Sequence, residues 1–273
     1  MANGMWTAAA GAVAQSQSLD VIANNLANTD TSAFKKDIPT FKEYLATVER
    51  THDTADIPRS PIKDKDFYPL DGRDQAYVVT DGIHTSFRQG NLRNTQSQLD
   101  IALDGPGFFE VSTPYGAQFT RQGNLKIASD GKLVTVEGFP VLSKEPAGLS
   151  MGSNSLSARY INLRDRGGLF GINANGQIYS GENLISQINI IEFKDLSKLK
   201  KLGGQLYENK DTNNIVNPEH TQVRQGFLES SNVNPIEEMT RMIQANRLFE
   251  HDLKALKTYG ELLGKEANEV GKL

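Results

Sequence analysis

The amino-acid sequence predicts a mixed, mainly β fold: a central all-β domain with N- and C-terminal helices packed as a coiled-coil pair. Three observations predict it. Apolar residues recur every seven positions at both ends of the 273-residue chain, which is the spacing of paired helices. The middle of the chain breaks into short β-rich runs separated by glycine turns, and a proline-rich stretch precedes these runs.

The N-terminal helix is assigned to residues 1–33 and has a seam of mostly small side chains. One seven-residue repeat contains Met5, Ala12, Leu19 and Leu26, and its companion contains Ala8, Gln15 and Ile22. Small side chains let a second helix approach closely. We therefore expect this helix to pack against larger side chains from elsewhere in the chain.

The C-terminal helix is assigned to residues 229–273. Asn234 is a good N-cap, Pro235 suits the first turn, and Glu237 and Glu238 complement the helix dipole there. One seven-residue repeat contains Met242, Phe249, Leu256, Leu263 and Val270, and the interleaved set contains Met239, Asn246, Leu253, Gly260 and Ala267. This pattern predicts a coiled coil with the N-terminal helix, although both helices could instead cover one globular core.

Between the helices, two regions are distinguished by composition. Residues 34–75 carry several prolines and charges, which predicts an extended, partly irregular connector. Residues 76–228 are assigned to the all-β domain, because β-rich runs bounded by glycine occur throughout them. The clearest runs are 76–87, 99–113, 131–142, 176–181 and 185–193.

Composition and motifs exclude most catalytic and ligand-binding classes. The net charge of −4 gives no electrostatic reason to bind nucleic acid, and the chain has no cysteine for disulfides or thiolate metal sites. The four histidines are isolated from one another in the sequence, and no phosphate-binding loop or nucleophile motif is present. We therefore expect no enzymatic activity, no metal, no cofactor and no small-molecule substrate. No apolar run is long enough to span a bilayer, and the N-terminus lacks the features of a cleaved signal peptide.

Three segments, in the same order, resemble the bacterial flagellar rod and hook proteins. The first is "LDVIANNLANTDTSAFKK" at residues 19–36. The second is the β segment "QGNLRNTQSQLDIALDGPGFFEV" at residues 89–111, with residues 119–142. The third is "GFLESSNVNPIEEMTRMIQANRLFE" at residues 226–250. Within the family the chain looks most like the proximal-rod FlgF type, with the FlgG-like distal rod next, although Ala33 stands where many relatives have glycine.

The resemblance implies a structural subunit of the basal-body rod that polymerises helically and transmits torque. It implies partners in copies of the chain, other rod proteins and the flagellar type III export apparatus, with no nucleic acid and no membrane insertion. It also implies a position in the rod, in the periplasmic space, after export without a cleaved signal. A secreted all-β cell-surface binding module with a helical stalk remains the alternative, but the only tryptophan, Trp6, lies in the N-terminal helix.

The candidate subunit interface comprises apolar seam residues and an amide row. Asn24 and Asn28 are four residues apart and so lie along one stripe of the helix, where we expect them, with Asn25, to bond to an identical neighbour. The candidate residues are Leu19, Ile22, Asn24, Asn25, Leu26, Asn28, Met239, Met242, Asn246, Phe249, Leu253, Leu256 and Leu263.

Overall fold

The chain folds into two compact units that alternate along the sequence. The computed structural model describes residues 2–46, 75–144, 156–163 and 170–270. Unit 1 comprises Met1–Asn24, Ile38–His84 and Ile236–Leu273, and unit 2 comprises Asn25–Asp37 and Thr85–Pro235. The chain therefore passes between the units near residues 24, 37, 84 and 235.

Unit 1 contains most of two long helices and a two-stranded sheet. Helix α1 spans Ala2–Ala27 and helix α2 spans Pro235–Val270, while β1 (Asp37–Ala46) pairs with β2 (Gln75–Thr85). Proline opens α2 because its fixed φ and missing N–H suit the first turn, where Glu237 and Glu238 also lie. The Thr80 hydroxyl of β2 bonds to the Gln17 side chain of α1.

The region between α1 and the first long β run differs from a simple connector. Residues 37–46 form β1, and its partner β2 belongs to the same unit as the helices rather than to the β-rich unit. The pairing explains the difference, because β1 and β2 satisfy each other's backbone groups. Residues 47–74 of the expected connector lie outside the described residues.

Unit 2 is built from short antiparallel strands. Its strands are β3 (Leu92–Asn94), β4 (Ile101–Asp104), β5 (Phe108–Thr113), β6 (Gly116–Thr120), β7 (Lys126–Ile127), β8 (Leu133–Val134), β9 (Gly171–Ile172), β10 (Gln177–Ser180), β11 (Asn183–Gln187), β12 (Ile190–Phe193), β13 (Leu199–Gly203), β14 (Leu206–Asn209), β15 (Ile215–Val216), β16 (Gln222–Gln225) and β17 (Phe227–Glu229). The largest sheet has the order β13-β14-β6-β5-β12-β15, and a second has the order β11-β10-β9. Strand pairs β16–β4, β17–β3 and β7–β8 complete the described β structure.

Strand β5 lies between two apolar clusters, which explains the adjacent phenylalanines in "GPGFFEV". Successive side chains of a strand point to opposite faces. Phe109 and Val111 join one cluster with Ile101, whereas Phe108 joins the other with Tyr207. Every residue of β5 is buried, so this strand forms the centre of unit 2.

The predicted fold class is confirmed: helices stand at both ends of the chain and a β-rich region lies between them. Short turns of 3₁₀ helix at Leu156–Arg159, Leu196–Lys198 and Thr212–Asn214 interrupt the strands. Among the described residues, neither helix has a stretch apolar enough to cross a membrane.

Candidate functional site

The two long helices lie side by side in unit 1 and run antiparallel. Gly4 of α1 approaches Tyr259 of α2 so closely that an added Cβ would lie 2.8 Å from the tyrosine ring. Gly11 approaches Asp252 in the same way, with the carboxylate 3.1 Å from an added Cβ. Residue numbers therefore rise along α1 as they fall along α2. The small residues of α1 provide the close approach that the sequence predicts.

The stripe of α2 that packs on α1 follows a seven-residue repeat, but in a different frame from the predicted one. Met242, Phe249, Leu256 and Leu263 are half-buried, as the predicted seam requires. The companion positions are Ala245, Asp252 and Tyr259, which are buried or half-buried. The predicted companions Met239, Asn246, Leu253 and Gly260 lie one residue further along and are exposed.

Packing against glycine explains this shift of frame. A count of apolar residues favours Leu253 over Asp252, because the leucine is the more hydrophobic side chain. Gly4 and Gly11, seven residues apart on α1, leave room opposite α2 for larger side chains that are partly polar. Tyr259 and Asp252 occupy that space, so Leu253 is directed away from α1 and remains 45% exposed.

The exposed side of α2 carries a second apolar stripe, which we call flank A. It consists of Ile236, Met239, Ile243 and Leu253, with Asn246 and Glu250 between the last two. When Asn246 and Glu250 are counted, successive positions are three or four residues apart, which places them all on one side of the helix. Ile236 and Ile243 are 73% and 56% exposed, respectively.

A different apolar pair, flank B, lies on the opposite side of the same helix. Leu248 and Leu262 are fourteen residues apart, hence two seven-residue repeats, and both are exposed. Five residues separate Ile243 from Leu248, which corresponds to a rotation of about 140° around the helix axis. Helix α2 therefore presents two unlike apolar surfaces in addition to the stripe that packs on α1.

Helix α1 contributes to the same side as flank A. A groove of about 580 Å³ opens between Leu19, Asp20 and Ala23 of α1 and Met242 and Ile243 of α2. Trp6 and Val13 precede Asp20 at seven-residue intervals, so they lie on the groove side of α1. Both side chains are more than half exposed.

The asparagines after this helical stretch have different environments. Asn25 is 1% exposed, and its amide makes two bonds to one residue of its own chain. Its Nδ2 donates to the Asp37 carbonyl (2.8 Å), and its Oδ1 accepts from the Asp37 N–H (2.9 Å). Asn28 is half-buried and accepts a bond from the Thr31 hydroxyl (3.1 Å), whereas Asn24 is exposed. Burial therefore directs Asn25 toward its own chain rather than toward a neighbour.

The remaining candidate residues lie on α1. Ile22 is buried, and Leu19 and Leu26 are half-buried, so these three resemble Met242, Phe249, Leu256 and Leu263 in their exposure. Sequence reasoning missed Trp6, Val13, Ile236, Ile243, Leu248 and Leu262, which are the more exposed apolar residues. Their spacings of seven or fourteen residues were the available signal.

Among the described residues there is no cluster of three or more His, Asp or Glu side chains that could hold a metal ion.

Comparison with protein families matches three parts of the chain. Residues 5–35 match the flagella basal body rod protein family, and residues 102–180 match the D1 domain of the flagellar hook protein FlgE/F/G family. Residues 224–270 match the C-terminal family of the flagellar basal body rod proteins FlgE, FlgF and FlgG. The first and last of these matches contain most of α1 and α2.

Similar proteins of known family extend the match over nearly the whole chain. The flagellar basal-body rod protein FlgG of Buchnera aphidicola subsp. Acyrthosiphon pisum is 33% identical, covering 96% of this chain and 97% of its own. FlgF of Caulobacter vibrioides is 30% identical, covering 93% of this chain and 92% of its own. FlgG of Bacillus subtilis is also 30% identical, covering 92% of each. The chain therefore belongs to the flagellar basal-body rod protein family, is FlgF/FlgG-like, and is a structural subunit of the flagellar rod.

Proposed function

We propose that this rod subunit polymerises by packing flank A of one copy against flank B of the next, and that the resulting helical assembly transmits torque. The observation that carries the proposal is the pair of unlike apolar surfaces on opposite sides of α2. An interface between two different surfaces of identical subunits does not have to close, so it generates an open helical filament. A single self-complementary patch would instead favour a closed dimer.

The size of the exposed apolar surface favours a polymer over an isolated dimer. Fully burying a large apolar side chain stabilises a protein by about 1.5–3 kcal/mol, so burying the exposed parts of the side chains of both flanks gives roughly 5–9 kcal/mol. Association costs about 4–15 kcal/mol in lost translational and rotational freedom. One such contact is therefore weak, and stable assembly requires that each subunit contact several neighbours.

The proposal extends to the other components of the flagellum through family membership. We propose other rod proteins as the neighbours at the two ends of the segment that this chain builds, and the periplasmic space as its position. We also propose delivery by the flagellar type III export apparatus. In this arrangement the subunit has a mechanical role and no catalytic one.

The test is a charge placed in flank A. Ile243→Asp puts a carboxylate into the proposed interface, where an unpaired charge is strongly unfavourable. We expect concentrated wild-type protein to sediment as polymers and Ile243→Asp to remain monomeric, with helical circular dichroism unchanged. Asn183→Asp is the matched control, because it adds the same charge at an exposed position of unit 2, outside both flanks. Polymerisation of Ile243→Asp at the wild-type concentration would contradict the proposal.

A further inference from the structure

A buried cluster of charged side chains lies where the chain enters and leaves unit 2. Lys35 follows α1 by eight residues, Glu229 ends β17, and Arg121 follows β6. The Lys35 Nζ lies 2.6 Å from Glu229 Oε1, and an Arg121 guanidinium nitrogen lies 3.3 Å from Glu229 Oε2. All three side chains are at least 97% buried. We call these three residues the charge cluster.

The charge cluster contains two cations and one anion. Glu229 binds both cations and also accepts a bond from the Gly90 N–H (2.8 Å). The other ionisable groups near the cluster are Asp37, Lys201, Glu192 and Tyr207. The Asp37 carboxylate is paired with Lys201 (2.8 Å), and Glu192 bonds to the Thr221 hydroxyl and the His220 N–H. Glu229 is therefore the carboxylate that directly compensates the two buried cations.

Burial has a consistent effect on the two cations. Desolvation lowers the pKa of Lys35 to about 8, an effect that the nearby Glu229 opposes and Arg121 reinforces. Desolvation also lowers the pKa of Arg121. Both directions follow from burial, because a site from which water is excluded disfavours the charged form of a cation.

The cluster stands beside a short backbone ladder between two distant segments. The Ala33 N–H donates to the Glu229 carbonyl (2.7 Å), and the Asn232 N–H donates to the Phe34 carbonyl (3.3 Å). The Lys36 N–H in turn donates to Asn232 Oδ1 (2.8 Å). Residues 33–36 and 229–232 are thus joined side by side, close to the points where the chain passes to unit 1 at residues 37 and 235.

We propose that the charge of Glu229 is the device that holds residues 33–36 against residues 229–232, whereas the charge of Lys35 is dispensable for it. Removing a partner from a buried ion pair is costly because it leaves an uncompensated charge. Loss of the carboxylate leaves two buried cations without an anion. Loss of the lysine charge leaves one cation paired with one anion. This inference concerns the isolated chain and does not depend on the proposed polymerisation.

Amide hydrogen exchange on the full chain tests the inference at neutral pH. In Glu229→Gln, an isosteric change, we expect residues 33–36 to exchange at least about tenfold faster than in the wild type, relative to β5. In Lys35→Met we expect their exchange to be unchanged or slower. Glu110→Gln is the matched control, because Glu110 is a buried carboxylate elsewhere in unit 2 that binds Arg159 and Asn189. Equal acceleration in Lys35→Met and Glu229→Gln would overturn the inference.

A double variant keeps the test decisive if Glu229→Gln fails to fold. Lys35→Met/Glu229→Gln contains one buried cation instead of two, so we expect it to be more stable than Glu229→Gln alone. Recovery of folding, or slower exchange at residues 33–36, supports the inference. A double variant that is less stable than Glu229→Gln would show that Lys35 contributes contacts rather than excess charge, and would overturn it.

Discussion

We expect the replacement of Lys35 by methionine to change the way in which the free energy of unfolding depends on pH. Burial lowers the pKa of Lys35 from 10.5 to about 8 in the folded chain. A lysine with a lowered pKa releases its proton more readily when folded, so the unfolded chain binds more protons between these two values. The contribution of Lys35 to stability is therefore fully present above about pH 10.5 and is lost as the pH falls through about 8.

The size of the effect follows from the width of this window. Each unit of pKa corresponds to about 1.4 kcal/mol, so a shift of roughly 2.5 units corresponds to about 3 kcal/mol. Methionine has a similar length and no titrating group. Because burial also raises the pKa of Tyr207, this tyrosine does not titrate in the same window. We therefore expect the free energy of unfolding of the wild type, relative to that of Lys35→Met, to rise by about 3 kcal/mol between pH 7 and pH 10.5.

Urea unfolding at a series of pH values provides the measurement. Near-ultraviolet circular dichroism follows the packing of the buried aromatic rings of unit 2 as the denaturant concentration rises. The difference between the two proteins cancels the titration of the other lysines. A pH-independent difference would refute the reasoning, and so would a wild type that loses stability relative to Lys35→Met as pH rises. The second result would mean that pairing with Glu229 outweighs desolvation.

Two matched pairs of substitutions test the helical unit and the turn that follows α1. Leu256→Ala, on the stripe that packs on α1, should lower the stability of the helical pair by about 1–2 kcal/mol, half the cost of a fully buried leucine. Leu253→Ala should change the stability of the helical pair by less than about 0.5 kcal/mol and should weaken assembly instead. Equal losses of thermal stability in Leu253→Ala and Leu256→Ala would contradict this prediction. Asn25→Ala should cost about 1–3 kcal/mol, because both backbone groups of Asp37 lose a partner, whereas the exposed Asn24→Ala should cost little. Urea unfolding of the isolated chain distinguishes them.

The sequence predicts those features that periodicity alone determines. Seven-residue repeats locate both helices, and runs of β-branched and aromatic residues locate β2, β4 and β5. Phe108 and Phe109 are adjacent and both apolar, so they do not show the alternation of apolar and polar residues that marks a strand with one buried face. Each faces a different apolar cluster, because both faces of β5 are covered. The sequence therefore predicts that this strand is buried, but it does not predict which cluster each side chain joins.

The frame of the C-terminal repeat could not be derived from α2 alone. It depends on the glycines of α1, which accept Tyr259 and Asp252 opposite them, and the sequence does not show which residues of two distant helices meet. The same holds for Asn25, whose partner Asp37 lies twelve residues away across a turn. That turn includes Ala33 with φ of 58°, a left-handed conformation that glycine adopts without strain.

The predicted domain boundaries differ from the two units for a similar reason. Residues 75–84 have the composition of a β-domain strand, and a strand's composition does not identify its partner. Pairing with β1 places this strand with the helices in unit 1. The position of a strand in a fold is set by long-range contacts, which a local pattern does not contain.

The most direct test of assembly through two unlike flanks is a mixture of two variants that cannot polymerise. Ile243→Asp blocks flank A and leaves flank B intact, while Leu248→Asp blocks flank B and leaves flank A intact. At the concentration at which the wild type polymerises, light scattering should show each variant alone as a monomer. Because a single contact between flank A and flank B is weak, the protein concentration of the equimolar mixture is then raised above this value. The mixture should form a dimer that contains one copy of each variant and grows no further, while each variant alone stays monomeric. Dimerisation of either variant alone, or a mixture that stays monomeric, would contradict the account.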